Sequence, residues 1–299
     1  MPTRRRFLAS SLALSALPVF AKQAFVMSSP ATRVIPSSGK PLAVVGLGTW
    51  QTFDVGGDRA AYDNLGRLLA RFVELGGELV DSSPMYGSAE AVLGDLVTER
   101  KLRERLFLAT KRWTRGRAAG VAQMEASLRS PQIELMQVHN LTDWKQRLPV
   151  LRAWKAEGRI RHLGITHYHA GAHAEVEDIL RAEPLDFLQI NYSLAEPEAA
   201  RRLLPLAGER SVAVIVNRPF AEGALFGAIK GKPLPAAAAD YGCRSWAQVF
   251  LRWILAHPAV TCVIPATRRI AHLEDNMAAA ASPLPDLAVH KALARMANL

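Results

Sequence analysis

Four side chains in the sequence have the types needed to protonate a carbonyl oxygen: Asp81, Tyr86, Lys111 and His139. A free tyrosine has a pKa of about 10, which is too high for ready proton exchange near neutrality. A neighbouring ammonium favours the phenolate, so we expect Lys111 to lower the pKa of Tyr86. A carboxylate behind the lysine would keep it charged, and a histidine would donate a hydrogen bond to the carbonyl oxygen. The set predicts an acid that protonates an oxygen while a hydride reaches the adjoining carbon.

Predicted strands position these side chains, because each of the eight apolar runs is typical of a strand buried on both faces, as in a parallel sheet. The runs are Val44–Thr49, Glu78–Ser82, Leu106–Lys111, Leu135–His139, His162–Thr166, Phe187–Asn191, Val212–Asn217 and Thr261–Pro265. Asp81, Lys111 and His139 lie at or next to the ends of three consecutive runs, and Tyr86 follows the first of these. Because catalytic groups of a parallel barrel come from the carboxyl ends of its strands, we expect all four at one mouth.

Segments with helical periodicity lie between the predicted strands. Leu65, Leu68, Leu69 and Phe72 form one apolar stripe, and Gly76-Gly77 favours the end of that helix. Alternating strands and helices predict an α/β protein with a (β/α)8 TIM barrel. A short N-terminal hairpin precedes it, with a glycine turn between Val34-Ile35 and Leu42–Val45. No G-x-G-x-x-G follows a strand, which disfavours a Rossmann domain.

Composition excludes several function classes. The chain has 299 residues, 49% of them hydrophobic and 21% charged, which is an ordinary globular balance. Its net charge of +10 comes from scattered basic residues that do not interleave with aromatics, so nucleic-acid binding is disfavoured. The positive charge is compatible with an anionic ligand such as a phosphorylated cofactor. The sequence contains no uninterrupted run of 18 apolar residues, so no ordinary membrane-spanning helix is predicted.

The N-terminal segment has the order of an export signal. Thr3-Arg4-Arg5-Arg6-Phe7-Leu8 resembles the twin-arginine signal, an apolar stretch follows, and Val19-Phe20-Ala21 offers small residues for cleavage after Ala21. We therefore predict a signal peptide over residues 1–21, a flexible spacer over 22–32, and one barrel domain over 33–299. The predicted partner is the twin-arginine export machinery, and the predicted location is the periplasm. Removing the three arginines lowers the net charge from +10 to +7.

Several independent motifs resemble the aldo-keto reductase family. Gly46–Trp50 resembles its first strand, and the stretch from Leu79 to Glu90 is similar to its Asp–Tyr segment. Ala109-Thr110-Lys111 resembles its lysine strand, Leu135–His139 its histidine strand, and Glu157–Thr166 its entry to the fifth strand. The resemblance runs from about residue 33 to residue 280.

The resemblance implies a reductase that acts on a small-molecule carbonyl substrate with NADPH, NADH not being excluded, and with no catalytic metal. It assigns proton donation to Tyr86, tuning to Lys111, support of that lysine to Asp81, and carbonyl orientation to His139. It also implies a set of cofactor-binding residues. These are Gly48, Thr49, Trp50, Thr166, His167, Gln189, Asn217, Arg218, Thr267, Arg268, Asp275 and Asn276.

Within that set, Thr166, His167 and Gln189 are expected at the nicotinamide amide. The segment Val263–Arg268 and the pair Asp275-Asn276 are expected at the adenine end. Arg268 is the candidate for binding the adenosine 2′-phosphate, because a guanidinium can donate two N–H groups to one phosphate at the same time.

The chain departs from the family pattern at three places. Thr166-His167 stands where many members have Ser-Asn, and the predicted seventh strand, which ends in Val216-Asn217, does not carry the aromatic that stacks on nicotinamide in many members. Arg218 is expected at the pyrophosphate instead. Ala266 stands where many members have lysine, which weakens the preference for NADPH over NADH.

Two alternatives remain open at the level of sequence. One is an exported protein that binds a nicotinamide cofactor as a redox sensor or partner, with little turnover. The other is a metal hydrolase that uses His167, His169, His139 and Asp81 as ligands.

Overall fold

The structure is a computed structural model that describes residues 30–112, 114 and 133–297. The predicted signal peptide and residues 22–29 of the predicted spacer lie outside these ranges. Backbone hydrogen bonding begins at Ala31, whose amide donates to the carbonyl of Ala280 at 2.8 Å. The last two residues of the predicted spacer therefore contact the folded domain.

Eight parallel strands form a closed barrel, which confirms the predicted (β/α)8 fold. After the hairpin strands β1 (Thr32–Val34) and β2 (Pro41–Ala43), the barrel strands are β3 (Leu47–Gly48), β4 (Leu79–Asp81), β5 (Phe107–Arg112), β6 (Leu135–His139), β7 (His162–Thr166), β8 (Phe187–Asn191), β9 (Ala213–Asn217) and β10 (Val260–Val263). Each strand pairs with the next in chain order. The isolated bridges Val45–Val263 and Gly48–Ala266 each join a residue of one end strand, β3 or β10, to a residue beside the other, and they close the barrel.

Helices cover the outside of the sheet. Within the described residues they are α1 (Arg59–Glu74), α2 (Ala89–Glu99), α3 (Trp144–Ala156), α4 (His173–Ala182), α5 (Leu203–Glu209), α6 (Ala224–Ala228), α7 (Trp246–Leu255), α8 (Ile270–Ala278) and α9 (Leu287–Ala297). The apolar stripe predicted for α1 is buried. The helix ends as predicted, because Gly76 adopts φ +79° and its amide and that of Gly77 bond back to Val73 and Phe72.

Strand boundaries agree closely with the sequence except at the first strand. The predicted strands Leu135–His139, His162–Thr166 and Phe187–Asn191 are observed with those bounds. The predicted strand Val44–Thr49 shortens to Leu47–Gly48. Gly46 lies very close to β4: a Cβ at this position would be 2.8 Å from the carbonyl oxygen of Leu79.

The hairpin seals the amino end of the barrel. Its residues Ile35 and Leu42 pack with Leu79, Leu135 and Phe187, which stand at the starts of β4, β6 and β8, in a buried apolar cluster. The opposite, carboxyl end is left open for polar side chains. Separately, no helix in the described ranges combines the length and apolarity needed to cross a bilayer.

Candidate active site

A buried ion pair lies at the centre of the carboxyl mouth. Lys111, near the end of β5, places its Nζ 2.5 Å from Asp81 Oδ2 at the end of β4, and it also donates to the carbonyl of Ser82 at 2.8 Å. Both side chains are almost completely buried. Burial lowers the pKa of Lys111, but attraction to Asp81 and Tyr86 outweighs it, so the pKa lies above its ordinary value. The lysine therefore stays an ammonium.

Tyr86 joins this pair from the turn after β4. Lys111 Nζ lies 5.1 Å from the centre of the tyrosine ring, and its positive charge acts on the phenol. The prediction that Lys111 lowers the pKa of Tyr86 below its ordinary value is wrong for the site as a whole. Burial raises this pKa and is the largest influence, Lys111 lowers it, and Asp81 raises it again, so the pKa lies above 10.0. The phenol is therefore protonated at neutral pH.

His139 stands beside Tyr86 at the end of β6. The two rings meet edge to face, with centres 6.1 Å apart. Burial, followed by repulsion from Lys111 and His167, lowers the pKa of His139 to about 3. The imidazole is neutral at pH 7, so it can donate a hydrogen bond without carrying charge.

Two buried glutamines surround Asp81 on the inner wall. Gln189 of β8 donates to Asp81 Oδ2 at 3.1 Å, and Gln137 of β6 lies 3.4 Å from Oδ1. Each glutamine uses its amide nitrogen for this contact. Their carbonyl oxygens, and Oδ1 of Asn217, are buried without a hydrogen-bond partner among the described residues. A buried acceptor left unpaired is costly, so these oxygens are candidate acceptors for a ligand's N–H groups.

The four predicted catalytic side chains line one cavity of about 730 Å³. It also contains eight of the predicted cofactor residues: Gly48, Thr49, Trp50, Thr166, Gln189, Asn217, Arg218 and Arg268. Large apolar side chains stand exposed around its opening, namely Trp50, Met85, Tyr168 and Phe226. The cavity thus combines a polar, buried floor with an apolar rim.

Four predicted cofactor residues do not line this cavity. The amide of Tyr168 bonds to Nδ1 of His167, and Thr267 accepts a bond from the amide of Arg269. The carboxylate of Asp275 accepts bonds from Ser245 at 2.7 Å and Gln248 at 2.6 Å, where α7 begins. Asn276 is buried on α8. For these four, a role in cofactor binding stays a prediction.

Arg218 is held by two carboxylates. Its guanidinium donates to Glu196 at 2.9 Å and to Glu222 at 3.0 Å. Arg218 and Glu222 both have positive φ, 49° and 55°, which is uncommon for residues other than glycine. The expected contact of Arg218 with a pyrophosphate would have to compete with these ion pairs.

Arg268 ties its own loop to the loop after β3. Its Nε donates to the carbonyl of Thr52 at 2.9 Å and its Nη2 to that of Gln51 at 2.8 Å. The third nitrogen, Nη1, makes no hydrogen bond within the described part of the chain. The side chain is exposed at the edge of the cavity, where a phosphate can reach it.

Sequence reasoning missed several wall residues. Phe220, Glu222 and Phe226 come from the segment after β9, whose irregular backbone gives no periodic signal. Gln137 was overlooked because a glutamine inside an apolar strand pattern does not by itself reveal which carboxylate it faces. No three His, Cys, Asp or Glu side chains of the described ranges converge as metal ligands.

Comparison with known proteins agrees with this geometry. The model of the aldo/keto reductase family matches residues 44–293, and the chain belongs to that family of oxidoreductases. It is 28% identical over 249 residues to methylglyoxal reductase YeaE of Escherichia coli, covering 79% of this chain and 85% of that protein.

Two further matches concern the cofactor. An NADH-specific methylglyoxal reductase of Escherichia coli is 28% identical over 235 residues, which are 66% of this chain and 69% of that protein. The crystal structure of an aldo-keto reductase from Klebsiella pneumoniae in complex with NADPH is similar in fold. Its TM-score is 0.75 at 25% identity, covering 89% of this chain and 95% of that one.

Proposed function

We propose that this protein reduces a small aldehyde or ketone with a nicotinamide cofactor, and that Tyr86 is the proton donor. The observation that carries the proposal is the chain of contacts from Asp81 through Lys111 to Tyr86, with the neutral imidazole of His139 beside the phenol. All four side chains line one cavity. This is the arrangement that a general acid for a carbonyl oxygen requires.

The residues present fit a nicotinamide cofactor. The unpaired carbonyl oxygens of Gln189 and Asn217 are suited to accept hydrogen bonds from a carboxamide N–H2, and Thr166 lies on the same wall. When bound, a reduced nicotinamide supplies the hydride that the carbonyl carbon receives. The relative from Klebsiella pneumoniae that was solved with NADPH supports this assignment.

The chain's own residues supply the proton and the electrostatics. His139 orients the carbonyl oxygen by donating a hydrogen bond to it. The O–H bond of Tyr86 then breaks as its proton passes to that oxygen, giving an alcohol. The phenolate left behind is stabilised by the ammonium of Lys111, which Asp81 holds in place. Because Lys111 is already charged and positioned, little reorganisation accompanies the transfer.

Replacing Tyr86 by phenylalanine tests the proposal directly. Loss of a general acid costs about 10²–10⁴-fold in rate, so we expect turnover of methylglyoxal with NADPH to fall by that factor. Binding of NADPH, followed by fluorescence titration, should be nearly unchanged. Tyr62→Phe, on the outer helix α1, is the matched control and should keep wild-type turnover. Undiminished turnover in Tyr86→Phe would refute the mechanism.

We also propose that NADPH is preferred over NADH through Arg268. Its Nη1 has no partner in the described residues, and its exposed guanidinium offers a charge for the 2′-phosphate. Arg268→Ala should weaken NADPH binding much more than NADH binding in parallel titrations. Equal weakening of both would assign Arg268 to its loop contacts alone.

We further propose export to the periplasm by the twin-arginine route, supported by the motif at Thr3–Leu8. Substitution of Arg4 and Arg5 by lysine should retain the full-length protein in the cytoplasmic fraction, whereas the native chain should be found in the periplasmic fraction. The sensor alternative predicts a different result for the purified protein: tightly bound nicotinamide cofactor without steady-state turnover of any carbonyl compound.

A further inference from the structure

Ser83 is a buried residue between Asp81 and Tyr86 whose hydroxyl has two neighbours. The backbone amide of Met85 donates to its Oγ at 3.2 Å, and Oγ lies 3.3 Å from Nδ1 of His139. The side chain has 0% exposure, so water does not reach the hydroxyl. Its hydrogen must therefore find an acceptor within the protein.

The two contacts leave one consistent assignment of that hydrogen. The Met85 amide can only donate, so it occupies a lone pair of Oγ. If Nδ1 of His139 also donated, the Ser83 hydroxyl would have no acceptor among the described residues. Buried hydroxyls are rarely left in that state. The hydroxyl therefore donates to Nδ1, which carries no hydrogen.

We propose that Ser83 is a positioning residue that fixes His139 in the tautomer with its hydrogen on Nε2, so that the ring presents a donor to the substrate. The inference rests on the proposed reductase function, because it concerns how His139 orients a carbonyl oxygen. A neutral imidazole carries one hydrogen, so an unprotonated Nδ1 places it on Nε2. Nε2 makes no hydrogen bond within the described part of the chain, and the ring lines the cavity.

The opposite tautomer would oppose the reaction. With its hydrogen on Nδ1, the ring would present a lone pair at Nε2 to the lone pairs of the carbonyl oxygen. A donor already in place costs no reorganisation when negative charge develops on that oxygen. Ser83 thus acts through His139 and has no need to contact substrate.

Nitrogen NMR of the histidine side chains in the unliganded protein tests the proposal, because protonated and unprotonated ring nitrogens have distinct ¹⁵N shifts. The signals of His139 are assigned by their loss in His139→Gln. We expect a protonated Nε2 and an unprotonated Nδ1 in the wild type, and a mixture of tautomers in Ser83→Ala. Ser83→Thr, which keeps a hydroxyl, should retain the wild-type pattern.

A matched control exists at the other end of the barrel. Ser37 Oγ lies 3.4 Å from Nδ1 of His162, so Ser37→Ala removes the same kind of contact from another histidine. It should leave the signals of His139 and the turnover unchanged. In Ser83→Ala we expect kcat to fall by about two- to tenfold with little change in KM, in proportion to the share of molecules that lose the Nε2–H tautomer. This is less than the ~10²–10³-fold cost of losing a preorganised donor, because part of the population keeps the productive tautomer.

Two results would overturn the proposal: a hydrogen on Nδ1 of His139 in the wild type, or an unaltered Nε2–H tautomer in Ser83→Ala. The first needs no variant, so the test does not depend on how Ser83→Ala folds. Failure of the proposed function is distinguishable. Full turnover in Tyr86→Phe would refute proton donation by Tyr86 while leaving the measured tautomer of His139 unaffected.

Discussion

The two ends of the barrel are built from the same strands. Two residues further along several of these strands, the side chains on one face change from apolar to polar. On β4, apolar Leu79 is followed two residues later by Asp81, and on β5 Ala109 is followed by Lys111. On β8, Phe187 is followed by Gln189. Because residues two apart in a strand share a face, an apolar layer lies directly beneath a polar one. The lower layer should contribute mainly stability, and the upper layer mainly chemistry.

The largest effect that separates the two layers should come from Lys111. Lys111→Met leaves the carboxylate of Asp81 buried without its partner, which typically costs about 3–5 kcal/mol of stability. It also removes the charge that stabilises the Tyr86 phenolate, so turnover should fall at least as far as in Tyr86→Phe. Urea unfolding and steady-state assays measure the two losses.

A double variant shows whether the ion pair of Lys111 and Asp81 increases the free energy of unfolding. In Lys111→Met/Asp81→Leu no unpaired charge remains, so much of the lost stability should return while turnover stays low. If instead the double variant is as unstable as Lys111→Met, the ion pair contributes to the fold as strongly as the apolar layer, and the contrast between the layers fails.

The complementary substitution lies in the apolar layer. Ile35 is buried in the hairpin that seals the amino end, and Ile35→Ala should destabilise the protein by about 2–5 kcal/mol. Its kcat and KM, measured well below the unfolding temperature, should match the wild type. A changed kcat in the folded variant would mean that the amino end influences the site, contrary to the proposed division.

The alternation within strands explains why the fold was predictable. Apolar runs such as Leu135–His139 and Phe187–Asn191 are buried on both faces, so their bounds follow from the sequence alone. At the first strand the predicted element was too long: Val45 forms an isolated bridge to Val263, the strand spans only Leu47–Gly48, and the close approach at Gly46 could not be read from the sequence. Local patterns reveal an element; they do not reveal how closely another element packs against it.

The same limit applies to the site. Side chains at strand ends could be placed at one mouth, since the topology of a parallel barrel decides this. The pKa of Tyr86 was predicted in the wrong direction, because the sequence shows the neighbouring lysine but not the burial that outweighs it. The ion pairs that hold Arg218 join it to Glu196 in the segment after β8, a pairing that no local pattern predicts.

The pH dependence of turnover measures whether burial or the charge of Lys111 dominates the pKa of Tyr86. Reduction needs the protonated phenol, and a raised pKa keeps the phenol protonated through neutral and mildly alkaline pH. We therefore expect kcat for reduction to hold until the pH exceeds about 10 and then to fall. Ultraviolet titration of phenolate, compared between wild type and Tyr86→Phe, locates the same ionisation. A decline of kcat near neutrality, matched by phenolate formation, would show that Lys111 outweighs burial.

The smallest effect should come from a serine–histidine contact at the amino end. Ser37 is exposed in the turn of the hairpin, and its 3.4 Å contact with His162 is long, so Ser37→Ala should cost less than about 1 kcal/mol of stability. Ser83→Ala removes the corresponding contact at the carboxyl end, where the histidine lines the cavity. If the layers differ as we infer, only Ser83→Ala lowers kcat. Equal losses of kcat in both variants would mean that the chemistry is not confined to the carboxyl layer.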